Sequence, residues 1–280
     1  MNLNKKNIII FLGPSLSADE ASKILDADYR PPIQRGDVTA ALQDNPDIIG
    51  IIDGVFHQQP AVSHREILNA LKKGVAVVGG ASMGALRASE LNDFGMVGIG
   101  YVYNQYKNGF IESDDDVAIV INPLNLEQLS DSLVSMEYNF KKMLEKGIIS
   151  EEEFNILFKT AKSIFYPKRT YDLVFKNVDI GEIKIKEIKK FLDEEGIDIK
   201  RQDAIDIIRY IKSMAEWNNN FIDTINVIKY INITNENITI SMIPLCINIQ
   251  HDKIPEYTSD ALILNRTNKN NSFVKTQMMP

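Results

Sequence analysis

Ser82 lies in Gly80-Ala81-Ser82-Met83-Gly84, a G-x-S-x-G pentapeptide. Residues 75–78, VAVV, form a β-branched apolar run that predicts a buried strand. Residues 83–91 hold Ala85, Leu86, Ala88 and Leu91, a helical stripe of good helix formers. The serine therefore stands where a strand breaks into a helix, which is the context a nucleophile elbow requires. The chemistry this suits is acyl transfer. Ser82 attacks a carbonyl, and the Met83 N–H, at a helix N-terminus, helps hold the oxyanion. Two plainer roles compete: a serine that only caps the helix, and a ring of N–H groups that holds an anion without reacting.

A serine nucleophile needs a base. The histidines are His57, His64 and His251. In the α/β-hydrolase order the histidine follows the serine, and only His251 does so here. His64 opens the helix that leads into the third strand and is a candidate at the strand ends. The other route is a Ser-Lys pair, in which burial or a cationic neighbour must keep the lysine neutral. Lys168 in YPKRTY, beside Arg169 and between aromatic residues, is the main candidate, and Lys162 is its rival. A lysine is ordinarily a surface charge.

The elements that position these residues follow from the pattern. Residues 7–12 and 47–53 are two further apolar runs, and with 75–78 they alternate with helices near 17–25, 38–42 and 61–73. Such alternation implies an α/β fold with a small parallel sheet flanked by helices. Ligands in these sheets bind beyond the carboxyl ends of the strands, where Gly13, Asp53 and Ser82 all fall. Residues 29–37, YRPPIQRGD, read as a loop. In it Arg35 is a candidate anion binder and Asp37 caps the next helix. Ser113 to Asp116, SDDD, offers three adjacent acids, which the pattern favours as a cap rather than a metal site. The second half reads as mainly helical. A long amphipathic helix spans residues 126–143, a capping box at Ser150 and Glu153 opens another, and two more cover 183–192 and 203–217. After residue 218 the helical period is lost, residues 231–240 suggest a hairpin, and 265–280 look frayed. The organisation expected is a core over 1–122, a helical region over 123–218 and a variable segment over 219–280.

Composition bounds the function. At 280 residues the chain can bury a full core, and 44% hydrophobic with 25% charged residues is ordinary for a globular protein. A net charge of −7 argues against a dedicated nucleic-acid binder. Cys246 is the one cysteine, so no internal disulfide and no cysteine metal cluster is expected. The apolar start is too short for a signal or a membrane span, and a cytoplasmic protein is the expectation. A nucleotide or phosphate binder ranks last, because neither a Walker A pattern nor G-x-G-x-x-G is present.

FLGPSL, YRPPIQRGD, DIIGIIDGVFHQQPAVSHREIL, GGASMGALRASEL, FGMVGIGYVYNQYKNG and SDDDVAIV, in that order, resemble the TfuA-like family over about the first ~120 residues. YPKRTY looks like a further element of it. The resemblance implies a partner of a YcaO enzyme in peptide backbone thioamidation. The YcaO partner activates the amide with ATP. The TfuA-like protein hydrolyses the C-terminal thiocarboxylate of a ThiS-like, ubiquitin-fold sulfur carrier to release sulfide, and strengthens the YcaO partner's hold on its peptide or protein substrate. The family's hydrolase-like site is a Ser-Lys pair, and Ser82 matches its serine. Relatives with H-K-E-I-L have a lysine where this chain has Arg65, and arginine does not deprotonate. The base then falls to Lys168, Lys162 or another lysine. H-R-E-I-L with SDDD looks like the archaeal branch, whose modified protein is methyl-coenzyme M reductase. On this reading Arg35 and Arg87 orient the anionic tail, Asp37, Asp53 and Met83 complete the binding set, and no cofactor or metal is implied. The rival reading is a non-catalytic adaptor that activates the YcaO enzyme.

Overall fold

The computed structural model describes residues 6–55, 59–121 and 128–228, with 217–228 as helix backbone alone. The hairpin expected at 231–240, His57, His251 and Cys246 lie outside the described residues.

Strand β1 (Ile8–Phe11), helix α1 (Ala18–Ser22), β2 (Asp28–Arg30), α2 (Asp37–Ala41), β3 (Ile48–Ile51), α3 (His64–Lys72), β4 (Ala76–Gly80), α4 (Met83–Leu91), β5 (Val97–Ile99) and α5 (Tyr101–Lys107) follow in order. The sheet order is β2-β1-β3-β4-β5, and every pairing is parallel. The chain therefore reverses its direction of travel between β1 and β3, which makes their carboxyl ends the topological switch point. The α/β class and the three long strands agree with the apolar runs. β2 and β5 were not expected, because each is a three-residue edge strand with no apolar run of its own.

Alternation along β1 and β3 splits the core in two. Ile9, Phe11, Ile49 and Ile51 pack with Val38, Ile67 and Met83 under α2, α3 and α4. Ile8, Ile10 and Ile48 pack with Ala204, Ile207, Ile208 and Ile211. These last four lie on α10 (Ile199–Ile228), which the sheet's second face needs as its cover.

Between α5 and α10 stand α6 (Leu133–Glu145), α7 (Glu151–Ser163), α8 (Tyr171–Lys176) and α9 (Glu182–Glu195), around a core of their own that includes Met136, Phe140, Leu157 and Ile188. The second half is helical, as the periodicity predicts, with three differences. Helix α6 starts at Leu133, because Ser132 accepts from Ser135 N and caps it there. SDDD caps a 3-10 turn made of its own three acids, Ser113 accepting from Asp115 N. Helix α10 runs unbroken to Ile228, past the point where the apolar period fails. Among the described residues no helix is long and apolar enough to cross a membrane.

One buried cation ties the two parts together. Arg169 is 1% exposed. Its Nε donates to Ala161 O at 3.1 Å, Nη1 to Asp115 O at 3.1 Å and Nη2 to Asp115 Oδ2 at 3.0 Å. YPKRTY and SDDD thus meet, far apart in sequence. Removing the guanidinium would strand a buried carbonyl and a carboxylate. Arg169→Met is expected to cost about 3–5 kcal/mol, read by urea unfolding, and Arg169→Lys to recover little because an ammonium has no fork.

Candidate active site

The carboxyl edge of the sheet carries a polar feature after each of the four adjacent strands β1, β3, β4 and β5, at the strand spacing of about 4.8 Å. After β1 comes Gly13-Pro14-Ser15, after β3 Asp53, after β4 Ser82, and after β5 Gly100-Tyr101.

Ser82 is the residue before α4, and Ala81 before it has φ of +63°. A left-handed alanine is a strained conformation, costing about 1–2 kcal/mol, of the kind found at functional turns. The Ser82 N–H turns back to Gly80 O at 2.7 Å, and its carbonyl accepts from Ala85 and Leu86 N–H at 2.9 and 3.3 Å. Its side chain makes no cap hydrogen bond. The serine is therefore not a capping residue in the ordinary sense. It is also 2% exposed. The two glycines of the pentapeptide answer to packing. A Cβ on Gly80 would meet Ile99 O and the Ile207 side chain, and one on Gly84 would meet Ile51 O. Gly84 N–H donates to Ile52 O at 3.2 Å, so the first turn of α4 docks directly on the end of β3.

Asp53 is 2% exposed. Its carboxylate accepts from Gly13 N at 2.9 Å, Ser15 N at 3.0 Å and Ser15 Oγ at 2.7 Å. Asp203, on α10, does the same for the far edge, accepting from Tyr101 N and Val102 N at 2.8 Å each. Two sets of N–H groups that a phosphate would seek are thus taken by the chain's own carboxylates, which weighs against the nucleotide-binding reading. Burial raises the Asp203 carboxyl from 3.8 to about 7, with Asp206 and Asp198 adding to the rise. Because the folded value lies above the unfolded one, the stability this group lends is fully present below pH 3.8. It is lost as pH rises through about 7, at no more than about 1.4 kcal/mol per pH unit. Urea unfolding across that window is expected to show the decline, and Asp203→Asn to flatten it.

The remaining expected residues divide. Met83 is buried beside Ser82, with its side chain against Gly54, and its N–H is among the first donors of α4. Arg87 donates from Nε to Val62 O at 3.0 Å and from Nη1 to Glu90 Oε2 at 2.6 Å. His64 shares that carboxylate, Nε2 to Glu90 Oε2 at 2.8 Å, and is half exposed. Glu90 is eight residues on from Ser82, about 12 Å along the helix axis. These three residues form a tie between α3 and α4, and Arg87 and His64 point to that tie. Arg35 is exposed on its loop, where its N–H donates to Pro60 O. Asp37 opens α2 itself, and its carboxylate takes Gln34 N at 2.8 Å, closing the loop instead of capping from outside. Lys168 and Lys162 are both exposed, while Arg169 is the residue of YPKRTY that turns inward.

The lysine that sequence reasoning missed is Lys200, which is 4% exposed. Its Nζ donates to Val117 O at 2.8 Å. It lines a small cleft with Pro14, Ser15, Ser132, Ser135 and Asp198, at the switch-point end of the sheet. Burial lowers its pKa from the usual 10.5, and the charges of Asp53 and Asp198 oppose that fall. A signal for it was present: Lys200 is four residues before Ala204, hence on the apolar face of α10 that covers the sheet.

Residues 53–170 match the family model described as TfuA-like protein. No curated protein matches the chain. The matched stretch includes Ser82, His64, Arg87, SDDD and Lys168, and leaves out Arg35, Asp37 and Lys200.

Proposed function

Residues 53–170 belong to the TfuA-like family, and from that premise we propose that the protein is a thioamidation partner of a YcaO enzyme. Its own reaction is hydrolysis of the thiocarboxylate of a ThiS-like carrier. Ser82 attacks the thiocarboxylate carbon, a lysine takes its proton, and the Met83 N–H helps hold the oxyanion. The C–S bond breaks and hydrosulfide leaves. Water then cleaves the acyl-serine, freeing the carrier carboxylate. Lys200 is the lysine this scheme calls for, since burial lowers its pKa and so favours the neutral amine. It lines a cleft with Ser15, whose hydroxyl donates to Asp53 after β3. Lys168 lies exposed to solvent. The observation that carries the proposal is the strained elbow, which sets an uncapped serine on the carboxyl edge of the sheet.

The catalytic state must also expose the serine. Its burial is the observation that favours the second reading, in which this protein is an adaptor that strengthens the YcaO enzyme's grip on its peptide or protein substrate, methyl-coenzyme M reductase among the candidates. Sulfide release from thiocarboxylated carrier by Ser82→Ala protein separates the two. Loss supports hydrolysis. Undiminished release, with thioamidation intact, leaves the adaptor.

A further inference from the structure

We infer that the cleft lined by Lys200 is a binding site for a water-sized monovalent anion, hydrosulfide in the reaction proposed above. The site stands on its own geometry, and only the identity of its natural anion rests on that reaction. Lys200, Ser15 and Ser132 all line the cleft, and each is less than 5% exposed. Lys200 Nζ spends one donor on Val117 O at 2.8 Å, and among the described residues it has no ion pair. A protonated amine carries three N–H groups, so two stay available. Ser132 Oγ donates to Ser135 Oγ at 2.9 Å, which leaves the Ser135 hydroxyl proton without an acceptor among the described residues. Ser15 has given its own proton to Asp53 Oδ1 and can only accept. The free donors on this cleft are thus a buried cation and a hydroxyl, the pair an anion seeks.

Size narrows the class. The cleft has room for about one water-sized occupant, which suits a halide or hydrosulfide and is too small for phosphate, a carboxylate or a nucleotide. One carboxylate also lines it, Asp198, and this group is exposed to solvent. Its Oδ1 is committed to the backbone, accepting from Lys200 N at 3.1 Å and Arg201 N at 3.2 Å. Water screens the charge of Asp198 more than that of the buried amine. Hydrolysis of a thiocarboxylate anion by one water yields a carboxylate, hydrosulfide and one proton. An amine that keeps this proton becomes a buried ammonium, which needs a counter-charge. Hydrosulfide supplies it, so proton acceptor and anion site are one group at successive moments.

The test is bromide titration of the full chain at constant ionic strength, followed by NMR of the Lys200 amine and of the Ser135 amide. No carrier is needed. A saturable shift of both signals is expected, with acetate and sulfate giving none and hydrosulfide displacing the bromide. Lys200→Met is expected to weaken bromide binding about tenfold or more, and Ser135→Ala about threefold, because each removes a donor to an anion. The Ser135→Ala variant keeps the test open should Lys200→Met fail to fold. No saturable bromide effect in folded protein overturns the site, as does an unchanged affinity in both variants or an equal response to acetate. Bromide that binds but is not displaced by hydrosulfide overturns the assignment of the anion. If Ser82→Ala protein releases sulfide undiminished, the proposed hydrolysis fails, and the bromide titration still decides the site.

Discussion

Ser82→Ala is expected to lower sulfide release from a thiocarboxylated carrier by about a thousand-fold or more, while unfolding free energy changes by less than about 1 kcal/mol. The pairing of these two numbers matters more than either. A serine that caps a helix through its hydroxyl costs about 1 kcal/mol when replaced by alanine. Ser82 makes no such bond, so alanine removes no helix cap. A large kinetic loss on an unchanged stability would therefore belong to the chemistry. The measurement needs the carrier with its C-terminal thiocarboxylate, sulfide detection under single turnover, and a urea melt of the same preparation. Intact release with an intact melt would leave Ser82 as a small residue chosen for fit.

Gly84→Ala is the second large effect, and here the sign is the diagnostic. A glycine-to-alanine change inside a helix ordinarily stabilises by up to about 1 kcal/mol. At Gly84 the added Cβ would fall on the carbonyl oxygen of Ile51, a backbone atom in a central strand. Neither partner is a flexible side chain that could swing aside. The expected result is a loss of about 3 kcal/mol or more, seen in urea unfolding or as failure to accumulate in soluble form. Sulfide release would fall with it, because the same contact sets the first turn of α4 against β3 and so fixes where Ser82 stands. An alanine that is neutral or stabilising would mean that α4 can lift from the sheet, and the rigid elbow would have to be given up.

The parts of this fold that could be read from the chain are those where one periodicity settles the matter. The runs read at 7–12, 47–53 and 75–78 alternate with helices, and that alone implied parallel strands, observed at 8–11, 48–51 and 76–80, with Asp53 and Ser82 at their ends. Capping residues were equally plain at Ser150 with Glu153. What escaped was set by tertiary partners. DYR and VGI pair at the sheet margins through backbone, which leaves no apolar run to find. In YPKRTY two cations adjoin. Which one turns inward depends on Ala161 O and Asp115, and only a fork reaches both. Lys200 was hidden by its own residue type, since lysine on the buried face of a helix is rare, although its spacing from Ala204 marked that face. Arg87 was read as a binder of the anionic tail and His64 as a candidate base, from their positions near the strand ends. Both are held by Glu90, a carboxylate no motif draws attention to.

The matched stretch is not a module. It opens at Asp53, after the inner strand β1 and the central strand β3 have been laid down, and it closes at residue 170, before α10 arrives to roof the sheet. A fragment cut to those limits would hold the serine but lack two inner strands and the lid over Val78 and Ala81. Its packing is borrowed from flanking sequence, so grafting or truncating by the boundaries of similarity would deliver an unfolded, sticky remnant, and changes at either flank can unseat the centre without touching it.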